Sequence, residues 1–438
     1  MKRILISLAL LVTASVTIVC CGSSKSSTVK PSRLRFRAFV SNPLLPSGGA
    51  NMPVLNIVDA LQDQLSLSVI SLASGSTQPG MMALSPDLGL TLVYSATGNT
   101  ILIVDNTTES VASLAGSTAP LPAINLPGFT ESFFVDQFNS TAYAAVPAAS
   151  VIGQAPGAVE VMNLLNGSIS ASIPVPGAHF VVPSPDGSRI LVFSDNSDTV
   201  TVISPSLVGT HTDPRSYLTG FDRPVWAVFN GASTAYILNC GLPCGGTAAG
   251  VSVLDIPSST ITSTTPVSAA SYGLLNGSTL YVAGTPTPVP TGTNTCAGTP
   301  TSARTCGRLS VLNTGSMTVT GTAIITDGRQ NRMQITQDGQ LFIGAHSCTG
   351  VNIPGGEVRG CLTIFNTIAS TVVIPPQLGD VTGIQPITDR NVVYVCQNGI
   401  FAIYDTTTDM LQVLPTNSLN NNGQVDIVGD AVDVKLVD

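Results

Sequence analysis

The sequence predicts an all-β fold: a β-propeller of about eight four-stranded blades, with seven as the alternative count, closed into a ring by its own C-terminus. Three observations predict it: a repeat that runs from residue 33 to the end, two kinds of turn that alternate along it, and an unmatched half-unit at each end. Composition agrees. Only 10% of the 438 residues are charged, while glycine and proline number 41 and 30, which suits short strands and turns better than helical bundles or disordered polyelectrolytes.

The first kind of turn follows an apolar run that ends in Asp or Asn. Asp59, Asp105, Asn163, Asp255, Asn313, Asn366 and Asp405 hold this place, and Ser204 substitutes once. A short side-chain oxygen there accepts a backbone N–H two residues on and closes the turn. Successive marks lie between 39 residues (Asn366 to Asp405) and 58 residues (Asp105 to Asn163) apart. The second kind precedes the next strand, as in Ser85-Pro86-Asp87, Ser184-Pro185-Asp186-Gly187, Asn230-Gly231, Asn276-Gly277 and Asp338-Gly339. Asn-Gly and Asp-Gly take the positive φ of tight hairpins, so each joins two antiparallel strands. A unit therefore reads strand A, tight turn, strand B, loop, strand C, Asp/Asn turn, strand D. In the fourth unit the fourth strand is expected near Leu207.

Four strands per 40–60 residues make a blade that must stack on its neighbours to bury its faces. The ends complete each other. The folded part begins on Arg35 to Val40, a strand B with no strand A before it, and the chain ends on Asp430 to Asp438, a strand A with no strand B after it. The last strand is expected to complete the first blade and remove two free sheet edges.

The N-terminus has the three-part export pattern: Lys2 and Arg3, an apolar run from Ile4 to Val19, then Cys20-Cys21-Gly22-Ser23-Ser24. The run is short for a spanning helix, which needs ~20 apolar residues. This segment resembles a bacterial lipoprotein signal, which implies lipidation at Cys21, residues 1–21 as the signal, 22–32 as a flexible tether and 33–438 as the propeller domain. Ser184-Pro185-Asp186-Gly187, Leu280-Tyr281-Val282-Ala283-Gly284 and Val253-Leu254-Asp255 resemble the YVTN-type β-propeller repeat of surface-layer and bacterial exported proteins. The Tyr-Val-Thr-Asn signature is nowhere intact, and several B-to-C loops are longer than that repeat has. The resemblance implies fold and a bacterial cell envelope location, lipid-anchored and facing the periplasm or the exterior.

Strand direction sorts the connections. Both tight-turn types lie on one face; the B-to-C and D-to-A loops, with insertions over 42–53, 147–157, 239–250, 285–307 and 346–360, lie on the other. Binding residues gather on long loops held by a rigid scaffold. Six cysteines fall in pairs within insertions, Cys240 with Cys244, Cys296 with Cys306, and Cys348 with Cys361. In an oxidising compartment they read as local disulfides, in preference to a thiolate metal site. Cys396 reads as a small buried residue.

Little in the chain points to catalysis. His179, His211 and His346 are expected on different blades, His346 as a loop residue, and dispersed imidazoles make a poor metal centre. No G-x-S-x-G elbow, phosphate-binding glycine loop or H-E-x-x-H helix is present, and no cofactor is implied. A net charge of −8 with four lysines leaves no basic stripe for nucleic acid. One polar set remains. Glu131, His179, Asp222, Arg223, Asn331, Arg332 and Asp380 stand at strand-A starts, where they would meet at the axial mouth on the loop-rich face. Such a set could bind a small anionic ligand or serve a lactonase-like hydrolase. The leading expectation is a non-enzymatic binding or scaffold module that meets the membrane through its lipid and an unidentified protein, glycan or small anion through this face. The alternatives are that hydrolase or a structural cell-surface protein.

Overall fold

A computed structural model describes residues 31–47, 50–72, 78–286, 306–349, 351–352, 358–412, 424–425 and 427–438. The signal, Cys21 and nearly all of the tether lie outside the described residues. The chain divides into Met1–Pro31 and Ser32–Asp438, and the second unit is the propeller.

Eight antiparallel sheets, each built on a four-strand path, follow one another along this unit; in blades 2 and 8 a short fifth strand, Ile124–Asn125 or Gln424–Val425, also pairs with strand C. Blade 1 takes Arg37–Ser47, Ala50–Asp59 and Gln64–Ser71 as strands B to D. Blade 2 runs from Pro79–Leu84 to Ser110–Val111, blade 3 from Ser132–Val135 to Ser168–Pro174, and blade 4 from Ala178–Pro183 to Arg215–Leu218. Blade 5 begins at Pro224–Asn230, blade 6 at Tyr272–Asn276, blade 7 at Arg329–Ile335 and blade 8 at Val381–Pro386. Each strand A packs against the strand A of the next blade, and the series returns from blade 8 through Val434–Leu436 to blade 2. That is a closed ring with strand A innermost.

Closure is made as the unmatched ends require. Val434–Leu436 pairs antiparallel with Arg37–Ser47, Ala38 opposite Leu436 and Val40 opposite Val434. Backbone bonds beyond the strand, Ser41 N to Asp433 O and Val437 N to Arg37 O, lengthen the seam. Asp433, 1% exposed, accepts from Met82 N at 2.8 Å, tying the closing strand to blade 2. Arg37 donates to Asp438 (Nε to Oδ2, 2.6 Å) and to Glu109 (2.8 Å) across the same junction.

The core is divided rather than central. Eight apolar clusters fill the ring, one between each pair of adjacent blades, because a sheet apolar on both faces is covered only by its neighbours. The turn marks end the strands they were read from. Strand C closes on each of the seven Asp or Asn marks. In six of them the side-chain oxygen accepts from the N–H two residues on, as Asp105 does from Thr107 and Asn313 from Gly315. Asp255 accepts from Ser258 instead.

Several expectations are corrected. Ser204 leads into a 3-10 turn, Pro205–Leu207, closed by Leu207 N to Ser204 O. Strand D of blade 4 is therefore delayed from the neighbourhood of Leu207 to Arg215–Leu218, and His211 falls on blade 4 with His179 rather than on a separate blade. Residues 42–53 are not a loop: Arg37–Ser47 and Ala50–Asp59 continue as a hairpin to the pair Ser47 and Ala50, with a bulge between Asn42 and Leu45. The 346–360 insertion contains a small ribbon, Val351–Asn352 against Val358–Arg359.

Candidate functional site

The innermost strands enclose a cavity of about 920 Å³ lined by strand A of every blade. Its rim residues, among them Phe129, Pro243, Ser347 and Thr349, belong to D-to-A and B-to-C connections, so it opens on the loop-rich face.

Strand A is bulged near its start in five blades. The extra residue is His179 in blade 4, Val225 in blade 5, Asn331 in blade 7 and Thr382 in blade 8, with a matching offset between Pro79 and Met82 in blade 2. A bulge leaves one residue unpaired and re-aims the side chains beside it. Here it turns them into the cavity mouth.

His179 is held between two carboxylates. Its Nε2 lies 2.8 Å from Glu131 Oε2, at the start of blade 3, and its Nδ1 lies 2.7 Å from Asp195 Oδ1, just past strand B of its own blade. Both acceptors lack protons when ionised, so both ring nitrogens donate and the imidazolium is favoured. Burial pulls the His179 pKa down, but the bonds to Glu131 and Asp195 outweigh it and the net shift is upward. Glu131 is held down to about 2, chiefly by the His179 hydrogen bond and further by Arg329, whose guanidinium is 3.1 Å away. Arg329 also lies over the Phe180 ring, 5.4 Å from its centroid.

The sign for stability follows. A raised histidine pKa contributes stability that is fully present below the unfolded value near 6.5 and is lost as pH rises through the folded value. The expected result is that His179→Gln lowers the melting temperature at pH 5.5 and changes it much less at pH 9; an equal effect at both would show that the clasp does not depend on charge.

His346 is not a loop residue, because strand B of blade 7 is Gln340–His346 and its ring reaches the cavity. Burial pushes its pKa down, against the pull of Asp380, whose Oδ2 is 3.6 Å from Nδ1. The mouth thus carries one imidazole biased toward the charged form and one toward the neutral form.

Of the residues read from the sequence, Glu131, His179, Asn331 and Arg332 line the cavity, whereas Asp222 and Arg223 do not. Asp222 accepts from Thr247 N and Ala248 N, pinning the loop that holds Cys240–Cys244; a Cβ at Gly246 would collide with its carboxylate. Arg223, at φ +54°, donates to Asn196 O and stands 3.7 Å from Asp198. Asp380 accepts from Ser347 N at 2.8 Å.

Cys240–Cys244 and Cys348–Cys361 are disulfides with Cα separations of 5.7 and 5.6 Å, so these sulfurs are not metal ligands. Cys306 is disulfide-bonded; its expected partner, Cys296, lies outside the described residues. Cys396 is a free, fully buried thiol.

Sequence reasoning missed Arg329, His346 and the aromatic side of the mouth. Phe180, Trp226 and Tyr272 stand on blades 4, 5 and 6. Phe180 and Trp226 centroids are 5.9 Å apart, and Trp226 and Tyr272 4.7 Å apart. A signal was there: the three recur every 46 residues, one blade apart.

Fold and site together define the class, an eight-bladed β-propeller with an axial cavity on its loop-rich face. Solved structures that share the fold include bacterial propeller proteins. Hydrazine synthase of Kuenenia stuttgartiensis matches at TM-score 0.52 and 14% identity, over 76% of this chain and 96% of that one. The dihydro-heme d1 dehydrogenase NirN, solved in complex with DHE, matches at 0.59 and 12%, over 92% and 75%. The Dos1 propeller matches at 0.54 and 12%, over 81% and 85%. At such identities the likeness is one of fold. No family model matches the chain, and no curated protein does.

Proposed function

We propose that this chain is a YVTN-type propeller lipoprotein of the bacterial cell envelope, tethered through a lipid on Cys21, and that it acts as a non-enzymatic binding module through its axial cavity. The observation that carries the binding reading is the cavity itself: about 920 Å³, within the size of ligand sites, and lined by aromatic and charged side chains on rigid strands. The opposite face offers short turns, closed on their own side chains, in every blade but the fourth, whose C-to-D connection spans 204–214. For the hydrolase reading His179 is not the base, because both its nitrogens are engaged by carboxylates and the ring has no free lone pair; His346 is the imidazole left for that role.

Tethering is tested by metabolic labelling with palmitate. Label should enter the wild-type protein, persist in Cys20→Ser and vanish in Cys21→Ser, which should also leave the membrane fraction. Absence of label from the wild type would overturn the lipoprotein reading.

A further inference from the structure

We propose that the cavity takes a small planar anion, an aromatic or conjugated carboxylate, whose ring system packs against the stacked Trp226–Tyr272 pair and whose acid group meets the Arg332 guanidinium. This rests on the reading of the axial cavity as the binding site and names the ligand class for it.

Charge comes first. Among the described residues, the cations lining the cavity are mostly matched: Arg329 by Glu131 at 3.1 Å, His179 by Glu131 and Asp195, and Lys435 by Asp433 at 3.2 Å. Arg332 differs. Its recorded bonds go to main-chain oxygens, Nε to Thr382 O at 3.1 Å and Nη1 to Asn331 O at 3.4 Å. A half-buried guanidinium that meets only neutral carbonyls retains its appetite for an anion, and its planar fork suits a carboxylate better than a point charge does.

Shape comes second. Arg332 is on blade 7, beside the Tyr272 of blade 6, with which it interacts electrostatically. Trp226 and Tyr272 are inclined by 30° with centroids 4.7 Å apart, while Phe180 is already covered by His179 on one side, ring on ring at 4.4 Å, and by Arg329. Trp226 and Tyr272 stack on each other as well, so the pair meets the cavity with the outer surface of that stack, and the next blade round the ring carries the unmatched cation. A ligand lying on that surface presents its edge to Arg332.

Trp226 is the sole tryptophan of the chain, so its fluorescence reports on this aromatic pair alone. The full-length protein is titrated with 2-naphthoate, with its neutral isostere 2-naphthamide and with maltohexaose. The expected result is saturable quenching by the naphthoate, at least tenfold weaker quenching by the amide, and loss of that preference in Arg332→Gln. Arg332→Lys, which keeps the charge and loses the fork, should fall between the two. If Arg332→Gln does not fold, the naphthoate-to-naphthamide ratio on the wild type decides alone. Equal response to acid and amide, or an undiminished acid preference in a folded Arg332→Gln, overturns the proposal. Quenching by maltohexaose without response to the naphthoate overturns the anion and leaves the cavity as the binding site; quenching by none of the three overturns both.

Discussion

Removing residues 429–438 should convert the protein from a monodisperse species into an aggregating one. The segment contributes strand A of blade 1, and its Ala431, Val434, Leu436 and Val437 are buried in the seams toward blades 8 and 2. A large aliphatic side chain contributes about 1.5–3 kcal/mol when fully buried. Three of them rival the whole ~5–15 kcal/mol by which a folded protein is stable. The deletion also removes Asp433 from the Met82 N–H and Asp438 from Arg37. What remains is a ring with an open blade, the freed sheet edge of Arg37–Ser47 and two exposed apolar faces, the arrangement most prone to edge-to-edge association. Size-exclusion chromatography and circular dichroism check it; a soluble monomer with an unchanged melting curve would mean that the seam does not hold the ring.

The second large effect is expected at the other side of blade 1. Arg390, in the tight turn of blade 8, donates to both oxygens of Asp63 at 2.7 and 2.6 Å, and Tyr394 donates its hydroxyl to Asp63 at 2.6 Å. Arg390 also donates to Ala60 O. The Asp63 side chain is only 3% exposed. Arg390→Ala therefore leaves a buried carboxylate without its cation, a loss of about 3–5 kcal/mol. Asp63 sits at φ +56°, which Asn tolerates, so the double variant Arg390→Gln/Asp63→Asn removes both charges without straining the turn and leaves Tyr394 an acceptor. It should be more stable than Arg390→Ala alone. Urea unfolding of the two variants tests this, and a double variant less stable than the single one would show that the charge pair is not the source of the effect.

Most of the fold was legible because propeller geometry is written locally. A carboxylate or amide that closes a turn two residues on, and a Gly or Asn at positive φ, act within one unit, and their alternation counts the blades. Closure was legible for the same reason: a missing strand A and a surplus one are both visible as gaps in a regular alternation. The site was legible only in part. Reading strand-A starts as axial found Glu131, His179, Asn331 and Arg332, but Asp222 and Arg223 stand before the bulge at Val225; the loop at Thr247 and Ala248 takes the Asp222 carboxylate, and Asn196 and Asp198 take the Arg223 guanidinium. Which residue a bulge re-aims depends on the register with strand B, which no single strand reveals. A single strand does not distinguish an axial aromatic from a core one; for Trp226 and Tyr272 only the one-blade spacing marks the difference. Ser204 misled in the opposite sense. It keeps the place of a turn mark but lacks the carboxylate or amide that makes the turn immediate, and Pro205 takes the chain into a 3-10 turn instead.

The claim that the loop-rich face does the binding is tested most directly by photo-crosslinking in living cells. A benzophenone amino acid is placed at Phe129 or Leu242, 48% and 54% exposed at the cavity rim and on an adjoining B-to-C loop, and at Phe138 or Leu165, 74% and 67% exposed in tight turns on the opposite face. All four side chains reach solvent, so exposure favours the tight-turn face. Adducts that form at Phe129 and Leu242 and not at Phe138 or Leu165 are the result this account predicts; adducts concentrated at Phe138 and Leu165 would contradict it.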